Sequence, residues 1–216
     1  MLIISANEAR GLRMPRGVAM QGARDQLFDA AERVLAREGP SGLTSRAVTD
    51  EAGVAKGLIY RYFADLDEFL AELAAARVRL AVGSVSGLED RAGHGTVTGN
   101  LSQALLALFG PGSHVPVITG IVTFRPSLMG RLHQMLDATS AFGEIEASLA
   151  AYIGAEQRLG RLGPSADPGT EAAILLGSAH HLVFSGRPAG EFPARVREIV
   201  AAVITGMAPG PAGLRP

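Results

Sequence analysis

The chain contains no cysteine, and only one of its 20 basic residues is a lysine. The absence of cysteine excludes a disulfide framework and thiolate metal sites, and it fits a reducing compartment. No run of about 18 apolar residues occurs, so no membrane-spanning helix is expected. The first 17 residues, MLIISANEARGLRMPRG, also lack the long apolar stretch of a secretory signal. These absences predict a cytoplasmic protein.

The 216 residues are 47% hydrophobic and carry a net charge of −1. A chain of this length and apolar content can bury one large core or two small ones. The near-neutral charge argues against a protein that coats nucleic acid over its whole surface, but it allows a small basic surface at one end. Apolar residues recur at helical spacing, and no convincing strand alternation appears. An all-α fold is therefore predicted.

The N-terminal third shows clear helix boundaries. Leu27, Ala31 and Val34 form one apolar stripe, which predicts a helix from Arg24 to Glu38 that ends at Gly39-Pro40. Thr44 or Ser45 offers an N-cap for a short second helix. A longer helix is expected after Asp65, with its inner side formed by Phe69, Leu73, Ala76 and Leu80. The later helices are predicted at roughly 97–109, 115–122, 126–139, 141–160, 169–186 and 193–207.

The stretch TDEAGVAKGLIYRYF, residues 49–63, holds the one lysine and two of the three tyrosines. Gly53 can supply the left-handed residue of a tight turn between two short helices, the second from about Ala55 to Phe63. This pattern is typical of a helix-turn-helix. The apolar residues that would lock the two helices together are Val48, Ala52, Val54 and Ile59.

The second helix of this pair would leave Lys56, Gly57, Tyr60 and Arg61 on or near its open face. Lysine and arginine can donate to guanine edges or phosphates, tyrosine hydroxyls can reach phosphate, and glycine lets the backbone approach a duplex. Spacing alone leaves an alternative open, which is an ordinary helical hairpin with a solvated basic face.

The segments RDQLFDAAERVLAREG and GLTSRAVTDEAGVAKGLIYRYFADLDEFL, within residues 24–70, resemble the DNA-binding domain of the TetR family of transcriptional repressors. The likeness lies in the Leu-Thr-x-Arg opening of the second helix, the Ala-Gly-Val turn and the Gly-x-Ile-Tyr-x-Tyr-Phe type of ending. It covers about a quarter of the chain. The remainder matches the family only in size and helical character.

The resemblance implies a role for each matching residue. Thr44 would cap the second helix and contact phosphate, and Arg46 would read guanine. Phosphate anchoring would fall to the two tyrosines. The implied DNA-binding residues are Thr44, Ser45, Arg46, Lys56, Gly57, Leu58, Tyr60, Arg61 and Tyr62.

Two positions depart from the family pattern. Leu66 stands where the family usually has a phosphate-gripping lysine, which puts that contact in doubt. Thr49 stands where a small alanine is common. Its methyl group can pack and its hydroxyl can bond the backbone, so no disruption is expected.

The resemblance also implies a helical C-terminal domain that forms homodimers and holds a small-molecule effector. The segment 169–186 is apolar nearly all round and rich in small residues, which is typical of a buried or subunit-contacting helix. The dimer interface is predicted from 141–160 with 169–186, and the alternative is 169–186 with 193–207. The candidate effector-binding residues, each of which could equally be core packing, are Phe109, Phe124, Arg125, Met129, His133, Phe142, Leu176 and His180.

The pair His180-His181 suggests a metal site, but adjacent residues on a helix point about 100° apart and cannot easily share one ion. No phosphate loop, dinucleotide-binding glycine fingerprint, HExxH or GxSxG motif occurs. Neither an enzyme nor a cofactor is therefore expected.

The predicted function is a DNA-binding transcriptional regulator, a repressor released from a palindromic operator by a small apolar ligand. The predicted domains are a flexible arm at 1–22, a helix-turn-helix domain at 23–70, an effector and dimerisation domain at 71–208, and a tail at 209–216. Two alternatives remain, a helical module that binds protein and a TetR-like activator without a ligand.

Overall fold

The computed structural model describes residues 16–136, 138–185 and 188–207. Within these ranges the chain forms ten α-helices, three short 3-10 turns and no strand, which confirms the predicted all-α fold. The helices are α1 (Arg16–Glu38), α2 (Ser45–Ala52), α3 (Ile59–Tyr62), α4 (Leu66–Val85), α5 (Val97–Phe109), α6 (Val115–Phe124), α7 (Leu128–Met135), α8 (Ala138–Arg158), α9 (Pro168–Phe184) and α10 (Phe192–Gly206). None of the helices in this part of the chain is long and apolar enough to cross a bilayer.

The chain divides into two compact units, with the division between Leu66 and Asp67. The first unit contains α1, α2 and α3. Its core includes Leu27, Val34 and Val48, none of which is exposed. The rings of Phe28 and Phe63 lie 6.0 Å apart between centroids. The apolar stripe predicted on α1 is therefore the face that packs.

The prediction for the start of α1 is wrong. The helix begins at Arg16, inside the segment 1–22 that was predicted to be a flexible arm. Once a helix is nucleated, its extension by one residue costs little free energy. A glycine such as Gly17 or Gly22 destabilises the helix by only about 1 kcal/mol relative to alanine. The absence of an apolar stripe therefore did not mark a helix boundary. The remainder of the predicted arm, 1–15, and the predicted tail, 209–216, lie outside the described residues.

The second unit is built around α5, which packs against α9 and α10, while α8 and α9 pack against each other. Its main core takes residues from α4, α5, α8, α9 and α10. The segment 115–124 is helical although it is rich in β-branched residues, as predicted for 115–122. The predicted helix 126–139 is shorter, ending at Met135.

The predicted inner side of α4 is correct at its start and wrong further on. Phe69 and Leu73 are fully buried, but Leu80 is 47% exposed. In this half of α4 the residues that enter the main core are Ala81 and Val85. The buried face therefore turns along the helix, because Ala74 and Ala75 pack with Leu132 of α7, whereas Ala81 and Val85 enter the main core. A single stripe of apolar residues could not show this change.

A buried polar cluster, formed by Asn100, Tyr152, Glu156 and Arg161, lies inside this second unit. The Glu156 side chain is fully buried, its Oε1 accepts the Gly93 N–H at 3.3 Å, and Arg161 Nε lies 3.4 Å from its Oε2. Asn100 Nδ2 donates to the Tyr152 hydroxyl at 3.0 Å. Burial and the hydrogen bond to Glu156 raise the pKa of Tyr152 to about 12. The cluster thus ties the connection between α4 and α5 to α8.

Candidate nucleic-acid interface

The first helix of the predicted motif is capped at both ends as the sequence predicts. Thr44 has extended backbone angles, and its Oγ1 accepts the Ala47 N–H at 3.1 Å. This satisfies one of the free N–H groups at the start of α2 and leaves the hydroxyl proton available to donate. Gly53 ends the helix in the left-handed region, with φ of 67° and ψ of 32°. The predicted cap and turn are both confirmed.

The second helix of the motif is shorter than predicted. α3 runs only from Ile59 to Tyr62, whereas 55–63 was expected. The preceding residues form a turn in which the Leu58 N–H donates to the Ala55 carbonyl at 2.9 Å. Lys56 therefore lies in this turn, before α3, and does not open the helix. A glycine at 57 adds a backbone entropy cost that a helix of this length offsets poorly.

Three side-chain hydrogen bonds hold α2 against α1. Glu51 accepts hydrogen bonds from Arg33 Nε and Arg37 Nη1, both at 2.7 Å. These bonds lower the pKa of Glu51. Gln26 Nε2 also donates to the Ala52 carbonyl at 2.9 Å. These positioning residues were not predicted from the sequence, although the spacing of Arg33 and Arg37 places both on one face of α1.

The buried threonine of α2 bonds the backbone, as expected from the sequence. Thr49 is fully buried, and its hydroxyl donates to the Ser45 carbonyl at 2.9 Å or to that of Arg46 at 3.1 Å. The polar atom is thereby satisfied without a partner outside the helix. This departure from the family pattern leaves the helix intact.

The start of α2 and the middle of α3 are joined by a side-chain hydrogen bond. The Ser45 and Tyr60 hydroxyl oxygens lie 2.8 Å apart, and either can donate. Tyr60 is 57% exposed. Together with Thr44, these residues place three hydroxyl groups from both helices on the surface of the motif. Such groups can donate to phosphate oxygens.

The cations of the motif lie at its surface. Arg46, Lys56 and Arg61 are exposed. Arg46 Nε lies 3.5 Å from Asp50 Oδ2, in an exposed pair of the i, i+4 type. Such pairs contribute little to stability, so Arg46 can leave Asp50 for a stronger acceptor. Among the remaining predicted residues, Gly57 is exposed, and the side chains of Ser45, Leu58 and Tyr62 are half-buried.

The structure brings some of the candidate effector residues together. The ring of His180 lies 6.2 Å from that of Phe109 and 4.9 Å from that of Phe184, between centroids. Phe109 is buried, and Leu176 packs against the same main core. One part of the predicted set therefore lies at the contact of α5 and α9.

The other candidates are dispersed. Arg125 Nη1 lies 2.5 Å from Asp67 Oδ1, an ion pair within the second unit. Met129 packs beside a small cluster that contains Leu132. The side chains of three others are exposed, namely Phe124, His133 and Phe142.

The side chains of His180 and His181 are both exposed. In the described part of the chain, no group of three or more His, Cys, Asp or Glu residues could hold a metal ion. The two histidines therefore form no metal site with neighbouring acidic residues there.

The cap of α2 leads to a stability prediction. Thr44→Ala removes the oxygen that accepts the Ala47 N–H, so we expect it to lower the free energy of unfolding by about 1 kcal/mol. Urea denaturation followed by circular dichroism measures this change. Thr44→Ser retains the oxygen and serves as the control. Equal stability of the alanine and serine variants would contradict the role of the cap.

Comparison with known proteins identifies relatives of the N-terminal part of the chain. The sequence profile of the family described as "Bacterial regulatory proteins, tetR family" matches residues 27–73. An uncharacterized HTH-type transcriptional regulator of Haemophilus influenzae is 44% identical over 50 residues, which are 23% of this chain and 27% of that protein. The match thus spans about a quarter of the length of this relative.

Solved structures resemble the chain over most of its length. The fatty acid degradation regulator FadR from Bacillus halodurans has a TM-score of 0.62 at 18% identity, covering 89% of this chain and 97% of that one. The ketosteroid transcriptional regulator KstR2 of Mycobacterium tuberculosis has a TM-score of 0.63 at 17% identity, covering 86% and 95%. The TetR family regulator PfmR from Thermus thermophilus has a TM-score of 0.58 at 12% identity, covering 83% and 97%. At these identities the likeness shows a shared fold.

Proposed function

We propose that this chain, whose residues 27–73 match the tetR family of bacterial regulatory proteins, is a sequence-specific DNA-binding regulator that represses transcription. The observation that carries the proposal is the α2–α3 unit, with its capped first helix, its left-handed glycine and its exposed cations and hydroxyl groups. A regulator of this kind acts on chromosomal DNA, so we place it in the cytoplasm.

The proposed contacts with DNA fall into two classes. The hydroxyl groups of Thr44, Ser45 and Tyr60, together with Tyr62, hold phosphates and fix the register of the motif. Arg46 and Lys56 donate to guanine O6 and N7 and carry sequence information. The corrected position of Lys56, in the turn before α3, lets its long side chain enter a groove independently of the axis of that short helix.

The proposed assembly is a homodimer on a palindromic operator, because one short recognition helix reads too few base pairs for useful specificity. We propose that α8 and α9 form the interface. Small residues on these helices are exposed at Gly143, Ala147 and Ala173. They allow close approach of partner helices. Large apolar side chains are also exposed at Phe142 of α8 and at Ile174 and Phe184 of α9, whereas none is exposed on α10.

The proposed effector is a small, largely apolar molecule that lowers operator affinity. It would bind a DNA-incompetent spacing of the two motifs more tightly than the competent spacing, and thereby shift the population. One structural neighbour is described as a fatty acid degradation regulator and another as a ketosteroid transcriptional regulator. These descriptions support an apolar ligand class. We place part of the binding site where the rings of Phe109 and His180 approach each other, with Leu176 one turn before His180 on α9.

Operator titration tests the proposed readout. DNA fragments selected by the protein from a genomic library supply the operator, and a scrambled duplex supplies the comparison. We expect Arg46→Ala and Lys56→Ala each to weaken the binding free energy for the operator by about 1–3 kcal/mol and to relax the sequence preference at particular base pairs. Tyr62→Phe removes only a phosphate contact and should weaken both duplexes by a similar factor. Arg197→Ala, at an exposed arginine of α10, is the charge control.

Measurement at two salt concentrations separates DNA binding from other association, because neutralised phosphates release counterions and the affinity then falls steeply with salt. The proposal of base reading is wrong if Arg46→Ala and Lys56→Ala lower the affinity for both duplexes equally. DNA binding itself is wrong if no duplex binds in a salt-dependent way.

A further inference from the structure

A cleft of about 400 Å³ opens between α9 and α10 in the second unit. It is lined by Gly177, Ser178, His181, Leu182, Arg195 and Ile199. Its volume lies within the range of about 300–1,000 Å³ that is usual for small-molecule sites. Gly177 lies one turn from Ala173 on the exposed face of α9, so the cleft adjoins the surface proposed for the dimer interface.

The polar side chains that line the cleft, on Ser178, His181 and Arg195, can all donate hydrogen bonds. Arg195, whose side chain is 42% exposed, forms an ion pair through Nη1 with Glu198, one turn further along α10, while its Nε atom is buried without a hydrogen-bond acceptor. A buried N–H without an acceptor is unfavourable, so an acceptor that reaches this guanidinium gains more than one at an ordinary surface arginine. Ser178 and His181 can add further donors from α9.

The remaining lining is apolar or open. Leu182 is buried and Ile199 is half-buried, so they offer a hydrocarbon surface beside the guanidinium. Gly177 leaves room, since a Cβ atom built there meets nothing within 4 Å. A ligand with a charged end and a hydrocarbon body would therefore satisfy both parts of the cleft.

From this geometry we propose that the α9–α10 cleft binds a monocarboxylate with a hydrocarbon chain. The carboxylate accepts from the Arg195 guanidinium and from Ser178 or His181, and the chain packs along Leu182 and Ile199. Glu198 already neutralises part of the Arg195 charge, so a dianion such as a phosphate monoester would meet a repelling carboxylate nearby. A single negative charge meets about half the repulsion from Glu198 that a dianion meets. The inference stands apart from the proposed DNA binding, because its test needs no DNA.

Isothermal titration calorimetry of the full-length protein with sodium octanoate tests the site. The control ligand, 1-octanol, has the same number of carbon atoms but no charge. We expect octanoate to bind saturably and more tightly than octanol. Arg195→Gln should lower octanoate affinity about tenfold or more, because a charge-assisted hydrogen bond is lost. Its effect on octanol should be small. Arg197→Gln, at an exposed arginine on the same helix, is the matched control and should leave octanoate binding unchanged.

Gly177→Leu provides a second variant that keeps every charge and fills the open part of the cleft. It should weaken octanoate and octanol together, and circular dichroism shows whether the helices are retained. The proposal is overturned if octanoate does not bind, if octanol binds as tightly as octanoate, or if Arg197→Gln weakens octanoate as much as Arg195→Gln does.

Discussion

Replacement of Glu156 by alanine is expected to lower the free energy of unfolding by about 2–4 kcal/mol. The side chain is fully buried in the polar cluster with Asn100, Tyr152 and Arg161. Its removal leaves the Gly93 N–H and the Tyr152 hydroxyl without their acceptor and Arg161 without its counter-charge. Arg161 is 29% exposed, so water can solvate part of its charge, which limits the loss.

Two variants show whether the loss arises from this cluster. Glu156→Gln keeps the volume and an acceptor oxygen, so we expect a smaller loss of about 1 kcal/mol. Glu146→Ala, at an exposed position of the same helix, should change stability very little. Urea denaturation followed by circular dichroism measures all three proteins. If Glu156→Ala is as stable as Glu146→Ala, the cluster contributes nothing to stability.

A second large effect is expected at the proposed dimer interface. Ala147→Arg on α8 and Ala173→Arg on α9 place a long charged side chain where partner helices would approach closely. Each should convert the dimer to a monomer in sedimentation experiments. Because the second half-site then binds independently, we expect the affinity for the palindrome to fall by a factor of about 10²–10⁴. The affinity for an isolated half-site should not change.

The alternative pairing of helices has its own variant. Ala201→Arg introduces the same charge at an exposed position of α10. With α8 and α9 at the interface, this protein should stay dimeric and bind the palindrome like the original chain. If Ala201→Arg is monomeric and Ala147→Arg is dimeric, the interface is formed by α9 and α10 instead. A monomeric original chain that binds the palindrome tightly would refute the dimer altogether.

Local chemistry explains which parts of the fold were predictable. The Thr44 cap and the Gly53 turn depend on a few adjacent residues, and both have the predicted geometry. The bounds of α5, at Val97 and Phe109, also agree with the prediction. Between Ala55 and Ile59 the outcome depends on whether a very short helix can offset the cost of a glycine. Residue types alone do not settle such a balance.

Contacts between distant residues explain what was missed. Glu51 receives its partners from α1, 14 and 18 residues away, although each residue alone is an ordinary surface charge. Glu156 meets Gly93 across 63 residues. A glutamate in an apolar helix shows no sign of such a contact in the sequence. The effector candidates are aromatic, apolar and basic residues, and residue type alone does not distinguish a pocket wall from a core or a surface.

Lys56 has a consequence for the chemistry of the chain. It is the single lysine, it is exposed, and it lies in the turn between α2 and α3. Reagents and enzymes that modify ε-amino groups therefore have one side-chain target, on the surface proposed to face DNA. An acetyl group there removes the charge of one proposed base-reading residue and leaves every arginine unmodified. Amine-directed labelling would likewise place a single side-chain probe beside the proposed DNA-binding surface, without any engineered attachment site.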